Sequence, residues 1–354
     1  MSLISVLRDT LQQQSLDALL VTNPENRTYL SGFTGSSGWL LITADTASLI
    51  TDFRYYEQAA LQAPDFRLVR QTESLALTFQ QLVAELSVVR LGFEQDHMSY
   101  ALATSLINAN PKVHFVPLSS VVEEQRMVKN DEELCKMQKA ADISEHTFLH
   151  ILGFMKAGMT EIQVSLEMER YMRQQGADGL AFETIVASGP RSSLPHGRPT
   201  DRMLADGDFV TLDFGAKYQG YCSDMTRTMV IGKATEEQKK IYHLVYEAHM
   251  AALQAVQPGI LGKDLDGVAR AVITEAGYGE YFGHGLGHGV GRNVHEGPSC
   301  GKTGLVPLKP GHVVTIEPGI YIPNWGGVRI EDMVLVTADG FKNFNHTTKA
   351  LIEI

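Results

Sequence analysis

Apolar and polar positions in the first 125 residues alternate between helical and strand-like spacing: an amphipathic helix near 3–14, a strand near 17–22, a hairpin near 38–52, a helix near 54–63, then strand, helix, strand, helix and strand to about 119. This alternation predicts a small α/β domain over residues 1–125. It holds no GxxxxGK phosphate loop, and Gly32 to Gly38 form no GxGxxG pattern. The domain is therefore assigned no chemistry of its own beyond walling one side of a substrate cleft.

Residues 126–354 follow a different plan. A long helix opens this second domain, with Asn130 as N-cap, Glu133 three residues on, and apolar positions Leu134, Met137, Ala141, Phe148, Ile151, Leu152 and Met155 before Gly158. Thr160 with Gln163 and Thr235 with Gln238 form Thr-x-x-Gln capping boxes that fix two later helix starts. Gly158 to Gly176 and Gly259 to Gly277 each bracket an amphipathic helix, 18 residues apart. An acidic hairpin follows each: Asp213 lies 37 residues after Gly176 and Glu317 lies 40 after Gly277, with Asp224 and Glu331 on the return strands. Two copies of a helix, helix, acidic-hairpin unit predict an α+β domain with an internal pseudo-twofold repeat, its carboxylates converging at the seam.

In the first hairpin, Phe209–Ile231, a four-residue loop from Lys217 to Gly220 would set Asp213 directly opposite Asp224. Around the break Pro323 to Gly327, the runs His312–Tyr321 and Val328–Val336 let Glu317 face Glu331 in the same way. Opposed side chains have Cβ atoms about 5 Å apart, where like charges are destabilising unless something positive lies between them. One such pair alone is more simply a solvated edge. Two pairs flanked by Val210, Leu212 and Phe214 and by Val313, Val314 and Ile316 imply strands at least half buried, and buried carboxylates need partners. Four carboxylates with His288 make a set of hard oxygen donors with one imidazole and no thiolate, suited to divalent ions rather than to structural zinc. Four negative charges balance two divalent ions, and a two-metal centre sharing a water is the simplest accounting.

Composition narrows the partners. A net charge of −11 argues against nucleic acid and anionic membrane surfaces and suits a cationic group such as a peptide amino terminus. Cys135, Cys222 and Cys300 are odd in number and widely spaced, which suggests neither a disulfide framework nor a zinc cluster, and a reducing compartment follows. No apolar run approaches about 18 residues and the amphipathic start is not a signal sequence, so the expected location is the cytoplasm.

Between the acidic hairpins, Phe282-Gly-His284-Gly-Leu-Gly-His288-Gly-Val-Gly-Arg292-Asn-Val-His295-Glu-Gly-Pro298 crowds three histidines among glycines that disfavour a helix and allow close backbone approach to a ligand. A lone histidine is more often a packing or surface residue; three beside the acids indicate a site. His196 lies in a turn-rich loop before the first acidic strand and, read alone, is a solvated loop residue.

In these motifs the chain resembles the pita-bread metallopeptidases, within them the Xaa-Pro aminopeptidase and prolidase branch: Asp213 and Asp224 eleven apart, His288 inside GHGxGH, Glu317 in EPG and Glu331 in VRIED. The resemblance runs through residues 126–340, and the N-terminal domain is of the type that branch carries. It implies that Asp213 chelates one metal, that His288 and Glu317 hold the other, and that Asp224 and Glu331 bridge both. It also places His196, His284, His295 and Arg329 along the substrate cleft. Methionine aminopeptidases of the fold lack the counterparts of His284 and Arg329. The implied cofactors are two divalent ions, manganese foremost, with cobalt, zinc or iron tolerated; the implied substrates are proline-containing peptides with a free amino terminus; the implied assembly is a homodimer.

Chemistry agrees with the resemblance. Two cations acidify a shared water, His295 is suited to stabilise the oxyanion, and Glu317 to accept and pass on a proton. An Xaa-Pro bond has no N–H, and its nitrogen must be protonated to leave, either by His196 or by a water relayed through Glu317. Arg329 either pairs with a substrate carbonyl or carboxylate or forms an internal salt bridge to one of the acids. The leading expectation is an Xaa-Pro aminopeptidase, with an Xaa-Pro dipeptidase (prolidase) as the alternative. Two other readings are a metal-free creatine-type hydrolase, which has no need of all five ligands, and a non-catalytic pita-bread binding module.

Overall fold

The computed structural model describes residues 3–354. It divides into two compact units, one up to Arg126 and the other from Met127.

In the first unit the elements run α1 (Leu3–Gln13), β1 (Ala18–Val21), α2 (Pro24–Ser31), β2 (Trp39–Thr43), β3 (Ala47–Thr51), α3 (Tyr56–Gln62), β4 (Arg67–Arg70), α4 (Leu75–Glu85), β5 (Arg90–Glu94), α5 (Tyr100–Ala109), β6 (His114–Leu118) and α6 (Val121–Met127). The six strands form one mixed sheet in the order β4-β3-β2-β1-β5-β6. Apolar periodicity does not announce α2. Its start is fixed by Asn23, which accepts from the Glu25 and Asn26 N–H groups, with Pro24 at the first helical position, and it ends at Gly32 with φ 76°. The side chains it buries include Asn26 and Arg27. The Arg27 guanidinium donates to the Gly35 and Gly38 carbonyls, so hydrogen bonding stands where packing usually does.

The second unit repeats one element order. Its first half runs α7 (Asp131–Phe154), α8 (Glu161–Gln174), β7 (Gly179–Leu180), β8 (Ile185–Ser188), β9 (Phe209–Phe214), β10 (Ala216–Tyr218), β11 (Tyr221–Cys222) and β12 (Met225–Val230). The second half runs α9 (Glu236–Ala255), α10 (Gly262–Glu275), β13 (Gly287–Gly289), β14 (Glu296–Cys300), β15 (Val313–Ile316), β16 (Gly319–Ile322), β17 (Gly326–Arg329), β18 (Asp332–Val336) and β19 (Phe341–Asn343). In both halves two helices precede a three-strand ladder, β12-β9-β8 and then β18-β15-β13. The bracketing glycines correspond, Gly158 (φ 86°) with Gly259 (φ 88°) and Gly176 (φ 96°) with Gly277 (φ 88°). Capping boxes start α7, with Asn130 and Glu133; α8, with Thr160 and Gln163; and α9, with Thr235 and Gln238.

Each helix pair covers one face of its ladder. Ile143, Phe148, Val164 and Met168 pack with Leu212 and Phe214, while Ile241, Val245, Leu265 and Ala269 pack with Val314 and Ile316. Successive strand residues point to opposite faces, so burying 212 and 214 turns Asp213 to the other side, as burying 314 and 316 turns Glu317. The acids thus emerge on the faces away from the helices, and the Glu331 N–H donates to the Thr226 carbonyl (3.1 Å) to join the two hairpins.

The first hairpin departs from the register expected of its sequence. Its loop is the two residues Gln219 and Gly220, not the four from Lys217 to Gly220, because Lys217 pairs with Cys222 and Tyr218 with Tyr221. Positive φ at both loop residues, 46° and 79°, makes the tight turn whose twist suits a hairpin, and a glutamine in that region is the feature the sequence conceals. Asp213 consequently pairs with Thr226. The slip is two residues, an even number, so Asp224 stays on the Asp213 face but diagonal to it instead of directly opposite. In the second hairpin Ile316 pairs with Asp332 and Gly319 with Arg329, a register that sets Glu317 opposite Glu331 as expected.

Candidate metal centre

Asp213, Asp224, His288, Glu317 and Glu331 line one cavity of about 330 Å³, together with His196, His284, His295 and Arg329. Phe182, Ile185 and Val294 add apolar wall. All nine residues singled out in the sequence therefore meet. The tightest cluster is Asp224, His288 and Glu331, each offering a donor atom within 4.8 Å of the others. The His288 Nε2 atom lies 3.6 Å from Asp224 and 3.4 Å from Glu317.

Burial makes this arrangement costly without a cation. Burial first, then the charges of Glu331, Asp213 and Glu317, holds the Asp224 carboxyl well above the usual carboxylate range. Glu331 is raised in the same way, by burial and then by Glu317 and Asp213, and Glu317 is pushed up to about 8, mainly by burial. Oδ1 of Asp213 and Oδ1 of Asp224 are buried with no hydrogen-bond partner, although buried oxygens ordinarily have one. His288 completes the test. Its Nδ1 faces the Gly289 carbonyl at 3.1 Å and takes the N–H, leaving the Nε2 lone pair aimed at two carboxylates. Burial and the neighbouring His295 push its pKa down to about 4, so the imidazole is neutral near neutrality and its lone pair is free to bind. A lone pair facing anions, with the far nitrogen tied to a backbone carbonyl, is how a metal-ligating imidazole is prepared. The donor set fits divalent cations.

Arg329 is held by groups of the site itself. Its Nη2 donates to Asp213 (2.5 Å), Nη1 to the Tyr321 hydroxyl (2.7 Å) and the Pro195 carbonyl (3.2 Å), and Nε to the Thr226 hydroxyl (3.1 Å). An internal salt bridge is formed, and the guanidinium is buried with each of its three nitrogens hydrogen-bonded. Two residues escaped sequence reading. The Tyr321 hydroxyl accepts from Arg329 and meets His284 Nε2 at 2.9 Å, while His284 Nδ1 lies 2.7 Å from the Gly285 carbonyl. Thr226 donates to Glu331 (2.6 Å). Both share the face of the acids, Tyr321 four residues after Glu317 and Thr226 two after Asp224, a period-2 signal open to a reader who follows polar as well as charged positions.

The remaining histidines differ in setting. Burial, with Arg329 beside it, pushes His284 down to about 4. The His295 ring packs edge-on against His288 with centroids 4.2 Å apart, and burial lowers its pKa too. His196 is exposed at the mouth, on the loop after β8. Next to Glu331 in sequence, Asp332 accepts from Arg227 (2.9 Å) and Lys349 (2.9 Å). No helix of the described residues is long and apolar enough to cross a membrane.

Comparison with known proteins places this geometry. Residues 135–338 match the model of Metallopeptidase family M24, and residues 4–128 that of the Creatinase/Prolidase N-terminal domain. The Xaa-Pro dipeptidase of Pyrococcus horikoshii is 38% identical over 97% of this chain and 96% of its own length. Among solved structures, the Xaa-Pro dipeptidase from Bacillus anthracis is 43% identical with a TM-score of 0.97, covering 99% of each chain. The X-Pro aminopeptidase from Thermotoga maritima is 38% identical with a TM-score of 0.93, covering 100% of each.

Proposed function

Because the chain belongs to metallopeptidase family M24, with the pita-bread catalytic fold behind a creatinase-type N-terminal domain, we propose that it is an Xaa-Pro dipeptidase working with two divalent ions, manganese foremost, in the cytoplasm and as a homodimer. The observation that carries this is the meeting of four carboxylates, two with orphaned buried oxygens, around a histidine lone pair, a donor set that suits a cation.

Asp213, Asp224, Glu331, Glu317 and His288 are the residues that would hold the ions. When bound, the ions supply Lewis acidity and an acidified water. The protein's own groups do the rest. Glu317, beside His288 and with the Thr315 hydroxyl 3.2 Å away, is placed to take a proton and pass it on. His295, neutral and at the cavity mouth, donates to the oxygen that becomes negative. His196, on the facing loop, protonates the departing proline nitrogen or binds the substrate carboxylate. His284, with its Nδ1 proton on the Gly285 carbonyl and its Nε2 on Tyr321, shapes the wall instead of titrating.

The sequence alone leans to an aminopeptidase. The dipeptidase relatives weigh against that lean, and a cavity of about 330 Å³ is at the small end for ligand sites, about 300–1,000 Å³. The Thermotoga maritima likeness sustains the aminopeptidase as the second reading. Hydrolysis of Ala-Pro and Ala-Pro-Gly by chelated protein before and after manganese addition tests both. Cleavage of the dipeptide well ahead of the tripeptide is expected. Tripeptide preference would favour the second reading, and no cleavage of either, with any of the four metals, would sink both.

A further inference from the structure

The loop that carries His196 is tied at its base by one carboxylate that belongs to no part of the site. Glu161, the first residue of α8, has a fully buried side chain. Its Oε1 accepts from the Ser188 N–H (2.8 Å) and hydroxyl (2.7 Å), and its Oε2 from the Thr200 N–H (2.9 Å) and hydroxyl (2.8 Å). Arg191 completes the set with an ion pair to Oε2. Ser188 and Thr200 are the two ends of the loop, so a single side chain pinches it shut. A helix N-terminus also favours negative charge there. On its other side the loop meets the centre: Ser192 accepts from the Gly327 N–H (2.8 Å), and Pro195, the neighbour of His196, accepts from Arg329.

The matching place in the second half is built otherwise. There α10 begins with Gly262, where a Cβ would fall 2.0 Å from the Ser299 carbonyl oxygen, so strand β14 rests directly on the backbone of the helix start. The second half also brings a histidine to the cavity, His295 between β13 and β14, but without a carboxylate clasp of this kind at the start of its helix.

We infer that Glu161 is a positioning residue, which by clasping Ser188, Arg191 and Thr200 fixes the loop geometry that presents His196 to the substrate. This rests on the reading of the cavity as a dipeptidase site. Misplacement of a group near the reacting atoms by about 1 Å costs up to about 100-fold, and Glu161 acts at that level without touching substrate or metal.

The test is a double-mutant cycle with Glu161→Gln and His196→Ala in the manganese-loaded full chain, with Thr200→Val as a milder lesion on the loop side should the glutamine variant not fold. Either clasp variant is expected to lower kcat/KM for Ala-Pro by about 10- to 100-fold at unchanged manganese content, and to cost under about twofold more once His196 is gone. Losses that multiply in the double variant, or lost manganese, would overturn the inference. Trypsin supplies a readout independent of turnover: the Arg191–Ser192 bond should resist cleavage in the parent and be cut in the clasp variants, and equal resistance would also overturn it. If the parent fails to cleave Ala-Pro, the dipeptidase reading falls, while the trypsin comparison still reports on the clasp.

Discussion

Removing the metal should make the protein's stability depend on pH in a direction opposite to that of most acids. Glu317 is pushed up to about 8 in the fold from an ordinary value of 4.5. Between those values the metal-free folded chain keeps a proton that the unfolded chain has released, so stability is lost as pH rises through about 8. Asp224 and Glu331 are raised for the same reasons and act in the same direction. Histidines held neutral, His284 and His288 at about 4, pull the other way, because the unfolded chain gains their protons as pH falls. Their influence fades above the ordinary histidine value of about 6.5, leaving the window from about 6.5 to 8 to the carboxylates. At about 1.4 kcal/mol per pH unit for one proton, Glu317 alone removes roughly 2 kcal/mol across that window. For a domain of this size that is a fall of about 4–8 °C in the unfolding midpoint. With manganese the carboxylates are held ionised, binding strengthens with pH, and the fall should vanish. Scanning calorimetry of chelated and manganese-loaded protein at the two ends of the window measures this. A metal-free midpoint that rose with pH, or a loaded protein that tracked it, would refute the reasoning.

Other perturbations probe separate parts of the centre. His295→Ala should lower turnover by about 100-fold, the scale of one oxyanion donor, with metal content intact by elemental analysis; lost metal would remove His295 from that role. His288→Ala should abolish turnover and cut bound manganese, since it deletes the imidazole donor that faces Asp224 and Glu317; full occupancy would contradict the ligand assignment. Arg227→Met leaves the buried Asp332 short of one of its two cations and should cost about 3 kcal/mol by urea unfolding, whereas a loss under about 1 kcal/mol would show that Lys349 suffices. Gly220→Val imposes a Cβ 2.8 Å from Arg292 at φ 79° and should cost about 1–3 kcal/mol in the same assay.

Much of this was legible in the chain because its signals are local or periodic. Capping boxes at Asn130, Thr160 and Thr235 fix helix starts by residue chemistry alone. The acids stand out because they interrupt apolar runs at strand spacing, and the even slip in the first hairpin left Asp213 and Asp224 on one face although their opposition was misjudged. What stayed hidden depends on long-range partners. Nothing near Gln219 signals a positive φ. The short helix α2 buries Asn26 and Arg27 through hydrogen bonds, against the expectation that buried faces are apolar. The Arg329 sequence names no partner, and only the fold brings Asp213, Thr226, Tyr321 and Pro195 around it.

The central claim is that divalent ions lie between the carboxylates of the two hairpins. Anomalous diffraction from a crystal grown with manganese tests it most directly. Two peaks about 3.5–4 Å apart, among Asp213, Asp224, His288, Glu317 and Glu331, are expected; a cavity without a peak at saturating manganese, its carboxylates still facing one another, would contradict it.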